Sequence, residues 1–137
     1  MRKILALDVG TKRVGYAVSD ELQTVAFPRG SFLRNPTDAF HARLKTIVRE
    51  EGVGTIVFGV PLGEDNEETP ASQKIRACAE KIARLLMIPI EFVDEFGTTN
   101  EALSHIPLRK DRREKGQDDA VAAYLILVRY LEAKKKS

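Results

Sequence analysis

Three carboxylates carry the chemistry open to this chain: Asp8, Glu95 and Asp119. Asp8 ends the apolar run Ile4, Leu5, Ala6 and Leu7, which reads as a strand buried on both faces. An ionised carboxylate there needs a cation or several donors, or its pKa shifts until it is neutral. Val9, Gly10, Thr11 and Lys12 then form a short polar turn, and Val14, Tyr16 and Val18 alternate with Gly15, Ala17 and Ser19 in a strand that folds back as a hairpin. The turn sets Asp8 beside backbone amides, the Thr11 hydroxyl and the Lys12 and Arg13 cations, a setting for phosphate or a divalent metal. Glu95 follows Asp94 at the end of a strand over Ile90 to Val93, and Asp119 lies in the first turn of the last helix.

In parallel strands of one sheet, functional side chains gather at the carboxyl ends, and a helix packed across that end can deliver a third group. Three carboxylates gathered there repel one another, and a divalent cation reverses the sign. Oxygen-only ligands suit Mg²⁺ or Mn²⁺, and two such ions ~3.5–4 Å apart activate water and stabilise the leaving oxygen in phosphodiester hydrolysis. Each carboxylate also has a plainer use. Asp8 can bond turn amides and hold the hairpin, Glu95 can be a solvated strand end, and Asp118 or Asp119 can cap the last helix. Asp119 is the better ligand of that pair, because Ala122 and Ala123 keep its helical face small, and Asp118 is assigned the cap.

The elements that position these groups follow in order. Thr24 to Leu33 reads as a third strand, interrupted by Pro28 and Gly30 as an edge strand with a bulge would be. Asn35, Pro36 and Thr37 precede a first helix with Phe40, Leu44, Ile47 and Val48 at helical spacing, and Thr55 to Gly59 is a buried strand closed by Val60 and Pro61. The segment from Leu62 to Pro70 reads as a polar, acidic, mobile loop. A second helix carries Ile75, Cys78, Ala79, Ile82, Leu85 and Leu86 on one face, and Thr98 to Leu103 is a short helical turn. The last helix, Gln117 to Lys135, has Val121, Tyr124, Leu125, Val128 and Leu131 as its core positions. Three sequential strands pair antiparallel, and strands reached through helices pair parallel. The expected architecture is an α/β, mixed five-stranded sheet with helices on both faces, in one domain spanning residues 1–137.

Composition narrows the class. The chain has 137 residues, 43% hydrophobic and 31% charged, with no low-complexity tract and no apolar run long enough to span a bilayer. With no secretory leader pattern, the expected setting is cytoplasmic. One cysteine and two histidines exclude a zinc constellation; Cys78 is expected as a buried structural thiol, His41 and His105 at the surface, and Tyr16 and Tyr124 in packing. The net charge of +2 is small, but Arg109, Lys110, Arg112, Arg113 and Lys115 cluster apart from the acidic Glu64, Asp65, Glu67 and Glu68. With Lys12 and Arg13, that basic loop is the expected nucleic-acid contact, and solvated linker is its plainer use.

The turn after Asp8 is also similar to the first phosphate loop of the actin and sugar-kinase ATPases, but those enzymes need two such lobes to enclose a nucleotide. The run Ala6 to Asp20, with Gly59-Val60-Pro61-Leu62, Asp94-Glu95 before Thr98-Thr99-Asn100-Glu101-Ala102, and Lys115-Gly116-Gln117-Asp118-Asp119-Ala120-Val121-Ala122-Ala123, resembles the YqgF/RuvX family. The resemblance spans nearly the whole chain in order. It implies a ribonuclease H-like fold, with Asp8, Glu95 and Asp119 matching the family's acidic triad, and a metal-dependent nuclease that trims the 5′ end of precursor 16S rRNA. A Holliday junction resolvase-like DNA endonuclease, which needs two active sites and hence a homodimer rather than a monomer, is the alternative within the same chemistry. A non-catalytic RNA-binding or transcription-associated factor is the alternative outside it. The chain departs from the family pattern at Phe96 and Gly97, where arginine and leucine are usual, and at Asp118, where an apolar residue is usual.

Overall fold

The computed structural model describes residues 2–62, 67–94 and 115–135, with side chains in the last stretch from 119 onward. β1 (Lys3–Val9) and β2 (Arg13–Ser19) form the expected hairpin, paired from Leu5↔Val18 to Val9↔Val14. The Gly10 amide donates to the Arg13 carbonyl across the turn at 2.9 Å. β3 (Ala26–Leu33) pairs antiparallel with β2, and its register slips by one residue at Arg29, between the pairs Tyr16↔Gly30 and Ala17↔Pro28. The proline-marked edge strand and its bulge are thus where the sequence placed them.

α1 (Thr37–Glu51) carries the chain back along the sheet to β4 (Val53–Val60), which lies parallel to β1. α2 (Pro70–Leu86) does the same for β5 (Ile90–Asp94), parallel to β4. The sheet order is β3-β2-β1-β4-β5, and α3 (Lys115–Lys135) closes the described chain. This is the five-stranded mixed sheet expected from the element order.

β1 is buried on both faces and divides the core in two. Leu5, Leu7 and Val9 pack with Phe40, Leu44 and Ile47 of α1 and with Ile75, Ala79 and Ile82 of α2. Ile4 and Ala6 face the other way, onto Ala123, Ile126, Leu127 and Tyr130 of α3. Strand alternation therefore turns Asp8 to the α3 side.

Several expectations need correction. The face of α3 that meets the sheet is centred on Ala123, Ile126, Leu127 and Tyr130, with Tyr124 and Leu131 of the expected stripe packed beside them. Val121 and Leu125 are buried as well. A helix apolar on nearly all sides gives no clean stripe to read. On α2, Leu85 is 56% exposed and Cys78 only half-buried. Residues 63–66 of the polar segment before α2 lie outside the described residues, and its last residues bond to the helix. Thr69 caps the helix in a reciprocal box with Ser72, its hydroxyl also bonds the Pro61 carbonyl at 3.0 Å, and Glu68 pairs with Arg76. The helical turn at Thr98 to Leu103 lies outside the described residues.

The far end of β2 is pinned by buried polar groups. The Ser19 hydroxyl, fully buried, accepts from the Ile4 amide at 2.8 Å and donates to the Asp20 carbonyl at 2.9 Å. The Asp20 carboxylate accepts the Thr24 and Val25 amides at 2.7 and 2.8 Å, which holds it below the usual carboxylate range. Ser19→Ala strands the buried Ile4 amide and is expected to cost about 1–3 kcal/mol. Urea denaturation should show a lower midpoint with an unchanged slope.

Candidate active site

The site is built from the row of residues that crosses β3, β2 and β1 at one level. Register places Asp8 opposite Gly15, and Gly15 opposite Ser31. Directly opposed residues of an antiparallel pair point to the same face, here the α3 side. Gly15 is the centre of this row, and α3 lies on it. A Cβ on Gly15 would stand 2.0 Å from the Asp119 carbonyl oxygen and 2.9 Å from the Asp119 Cβ. The helix backbone at Asp119 thus occupies the space that a side chain would fill, next to the strand that carries Asp8.

The carboxylate of Asp119 is half-buried and meets Arg13. Arg13 Nε donates to Asp119 Oδ2 at 3.2 Å, and its Nε and Nη2 donate to the Ser31 hydroxyl at 3.3 and 2.8 Å. Arg13, expected on phosphate, therefore holds the helix carboxylate and is itself anchored on β3. Lys12 is exposed at the tip of the turn. Arg34 straps that turn from beside it: its guanidinium donates to the Gly10 carbonyl and its amide to the Lys12 carbonyl, both at 2.9 Å.

On the other side of Asp8 the parallel strands finish flush. Leu7 pairs with Phe58 and Phe58 with Phe92, and the β4–β5 pairing runs on to Val60↔Asp94. β5 ends at Asp94, one position before Glu95. Glu95, Arg109, Lys110, Arg112, Arg113 and the side chain of Lys115 lie outside the described residues, as does the side chain of Asp118. Of the three expected acidic groups, Asp8 pairs with Gly15 and the Asp119 backbone lies over the same Gly15, and among the described residues no cluster of three metal-ligating side chains forms. Sequence reasoning missed Ser31 and Arg34. Nothing local marks either one, because each is recruited through strand register or a turn contact. Gly15 did carry a signal: a glycine inside an otherwise apolar, β-branched strand marks close backbone approach.

The model of the RuvX family, described as Holliday junction resolvase, matches residues 2–133. The chain is a member of the RuvX family. A protein of Maridesulfovibrio salexigens named "Putative pre-16S rRNA nuclease" is 38% identical over 131 residues, covering 94% of this chain and 97% of that protein. A protein of the same name from Chloroflexus aurantiacus is 34% identical over 137 residues, covering 98% and 89%. Among solved structures, Thermus thermophilus RuvC in complex with a Holliday junction superposes with a TM-score of 0.61 at 12% identity, covering 98% of this chain and 96% of that one. The fowlpox virus resolvase with Holliday junction DNA gives 0.61 at 11%, covering 96% and 98%. At these identities the likeness is one of fold, that of the ribonuclease H-like resolvases.

Gly15→Ala drives a methyl group into the α3 backbone, which cannot yield as a flexible side chain would. It is expected to destabilise the chain by at least about 3 kcal/mol, measured by chemical denaturation.

Proposed function

We propose that this RuvX-family chain is a metal-dependent nuclease that hydrolyses phosphodiester bonds in 5′-end maturation of precursor 16S rRNA. The observation that carries the reading is the approach of the α3 backbone at Asp119 to Gly15, the residue paired with Asp8 at the carboxyl end of β1. The names of its relatives supply the substrate. A cytoplasmic setting goes with that substrate.

The donor set fits a hard divalent cation. Asp8 and Asp119 offer oxygen donors, both half-buried, and Asp119 pairs with the Arg13 cation. Asp8, Asp119 and Glu95 would hold Mg²⁺ or Mn²⁺, which supplies a water activated for attack and charge stabilisation at the leaving oxygen. The chain's own part is positional. Gly15 fixes the distance of the helix from β1, Arg13 with Ser31 orients the Asp119 carboxylate, and Lys12 presents a cation to the phosphate from the turn. The basic stretch Arg109, Lys110, Arg112, Arg113 and Lys115 extends that phosphate contact without reading sequence.

A second reading, a resolvase-like endonuclease on branched DNA, is favoured by the family description and by the shared fold with RuvC. One assay separates the two. A 5′-extended 16S rRNA fragment, a generic single-stranded RNA and a four-way DNA junction are incubated with Mg²⁺ or Mn²⁺, or with EDTA. Cutting of the rRNA extension that EDTA abolishes supports maturation, and paired symmetric nicks in the junction support resolution. Asp8→Asn and Asp119→Asn are each expected to lower cleavage by ~10³-fold, about 4 kcal/mol in the barrier, while circular dichroism stays unchanged. Cleavage that survives either substitution overturns the site.

A further inference from the structure

The nuclease reading leaves unused a groove on the opposite face of the sheet. It lies between α1 and α2, has a volume of about 280 Å³, and is lined by Arg34, Thr37, Phe40, His41, Lys74, Ala77, Cys78 and Lys81. Among the described residues that line it are three permanent cations and a histidine, and no acidic one. Asp38 and Glu80 belong to the same helices but are not part of the lining. Among the described residues neither Lys74, Lys81 nor Arg34 is in an ion pair, whereas Lys3, Arg13, Arg29 and Arg76 each hold a carboxylate. Exposed lysines gathered on one face raise the local positive potential.

The groove opens at the end of the sheet that carries the site. α1 starts there, because β3 ends beside Arg13 and the Arg34 amide bonds the Lys12 carbonyl. α2 starts there too, its Thr69 hydroxyl bonded to Pro61 just after β4. Arg34 joins the two places physically: it lines the groove and clamps the Gly10 carbonyl of the turn that follows Asp8. Lys74 and Lys81 are seven residues apart on one helix face, about 10 Å along the axis. That span reaches more than one phosphate of a nucleic-acid strand. The Cys78 thiol between them is pushed up by burial, which keeps it neutral and leaves the lysines and arginine as the groove's charge.

We infer that this groove binds the sugar–phosphate backbone of the substrate strand beyond the scissile phosphate. The strand passes from Asp8 and Asp119 over Lys12 at the turn, past Arg34, and onto Lys74 and Lys81. The inference rests on the nuclease reading and adds a second contact surface to it, distinct from the Arg109 to Lys115 stretch.

The test is binding of a fluorescein-labelled, 20-nucleotide single-stranded RNA, and of DNA of equal length, by anisotropy in EDTA over a series of salt concentrations. Lys74 and Lys81 are exposed, so Lys74→Gln with Lys81→Gln should fold normally. This double variant is expected to bind about tenfold more weakly, with a slope of log K against log salt reduced by about 1.4, two single-strand phosphate contacts. Arg49→Gln with Arg84→Gln, which removes two exposed cations from the last turns of the same helices, controls for net charge and should keep the wild-type slope. Equal slopes for the wild type and the lysine variant, with metal-dependent cleavage intact, overturn the groove and leave the nuclease reading standing. A wild type that neither binds nor cuts either strand overturns both. Loss of poly-glutamate binding by the lysine variant without loss of RNA binding identifies an acidic protein partner and overturns the inference.

Discussion

The close approach of α3 to β2 is the constraint from which the site follows. A sheet and a helix ordinarily stand apart by the depth of their side chains, and at Gly15 that depth is missing. The helix start drops onto the strand and brings its Asp119 backbone to the level of Asp8. The contact also determines the rest of the interface. With α3 seated at Asp119, Ala123 packs on the sheet next, and the larger Ile126, Leu127 and Tyr130 follow where the helix lies over the apolar rows of Ile4, Ala6, Ala17 and Val57.

Arg13 gives that arrangement its electrostatic balance. A guanidinium tethered to Ser31 pairs with the Asp119 carboxylate and balances its charge. The same side chain limits where Asp119 can point. Pre-set ligands lose less freedom on binding a cation or substrate than free ones do. The position of Arg13 on β2 makes it an internal partner of the site as well as a source of positive potential at its rim.

The hairpin, the edge strand with its bulge, the parallel strands after each helix and the family itself were all legible in the sequence. Each rests on a local pattern: alternation in β2, Pro28 and Gly30 in β3, the apolar run of β4. What was not legible depends on which surfaces meet. The run Ala120 to Val128 is apolar at every position, so its spacing could not say which side of α3 faces the sheet. Cys78 and Leu85 follow helical periodicity as faithfully as Ile82, yet the groove leaves one half-buried and the end of the sheet leaves the other in solvent. The pairing of Arg13 with Asp119 was not legible, because the place of Arg13 in the turn is visible in the sequence while Asp119 is distant along the chain. Glu95 and the basic stretch at Arg109 lie outside the described residues, so their assignment still rests on the sequence pattern and the family resemblance.

The bulged edge strand has a consequence for how copies of this chain can meet. An open sheet edge is a template on which another chain can add a strand. On β3 the row of backbone donors and acceptors is broken by Pro28, which has no amide hydrogen, and by the extra residue at Arg29. Strand addition by a second molecule is disfavoured there. Pairing of two chains at this side then falls to side chains, where specificity can be tuned one residue at a time.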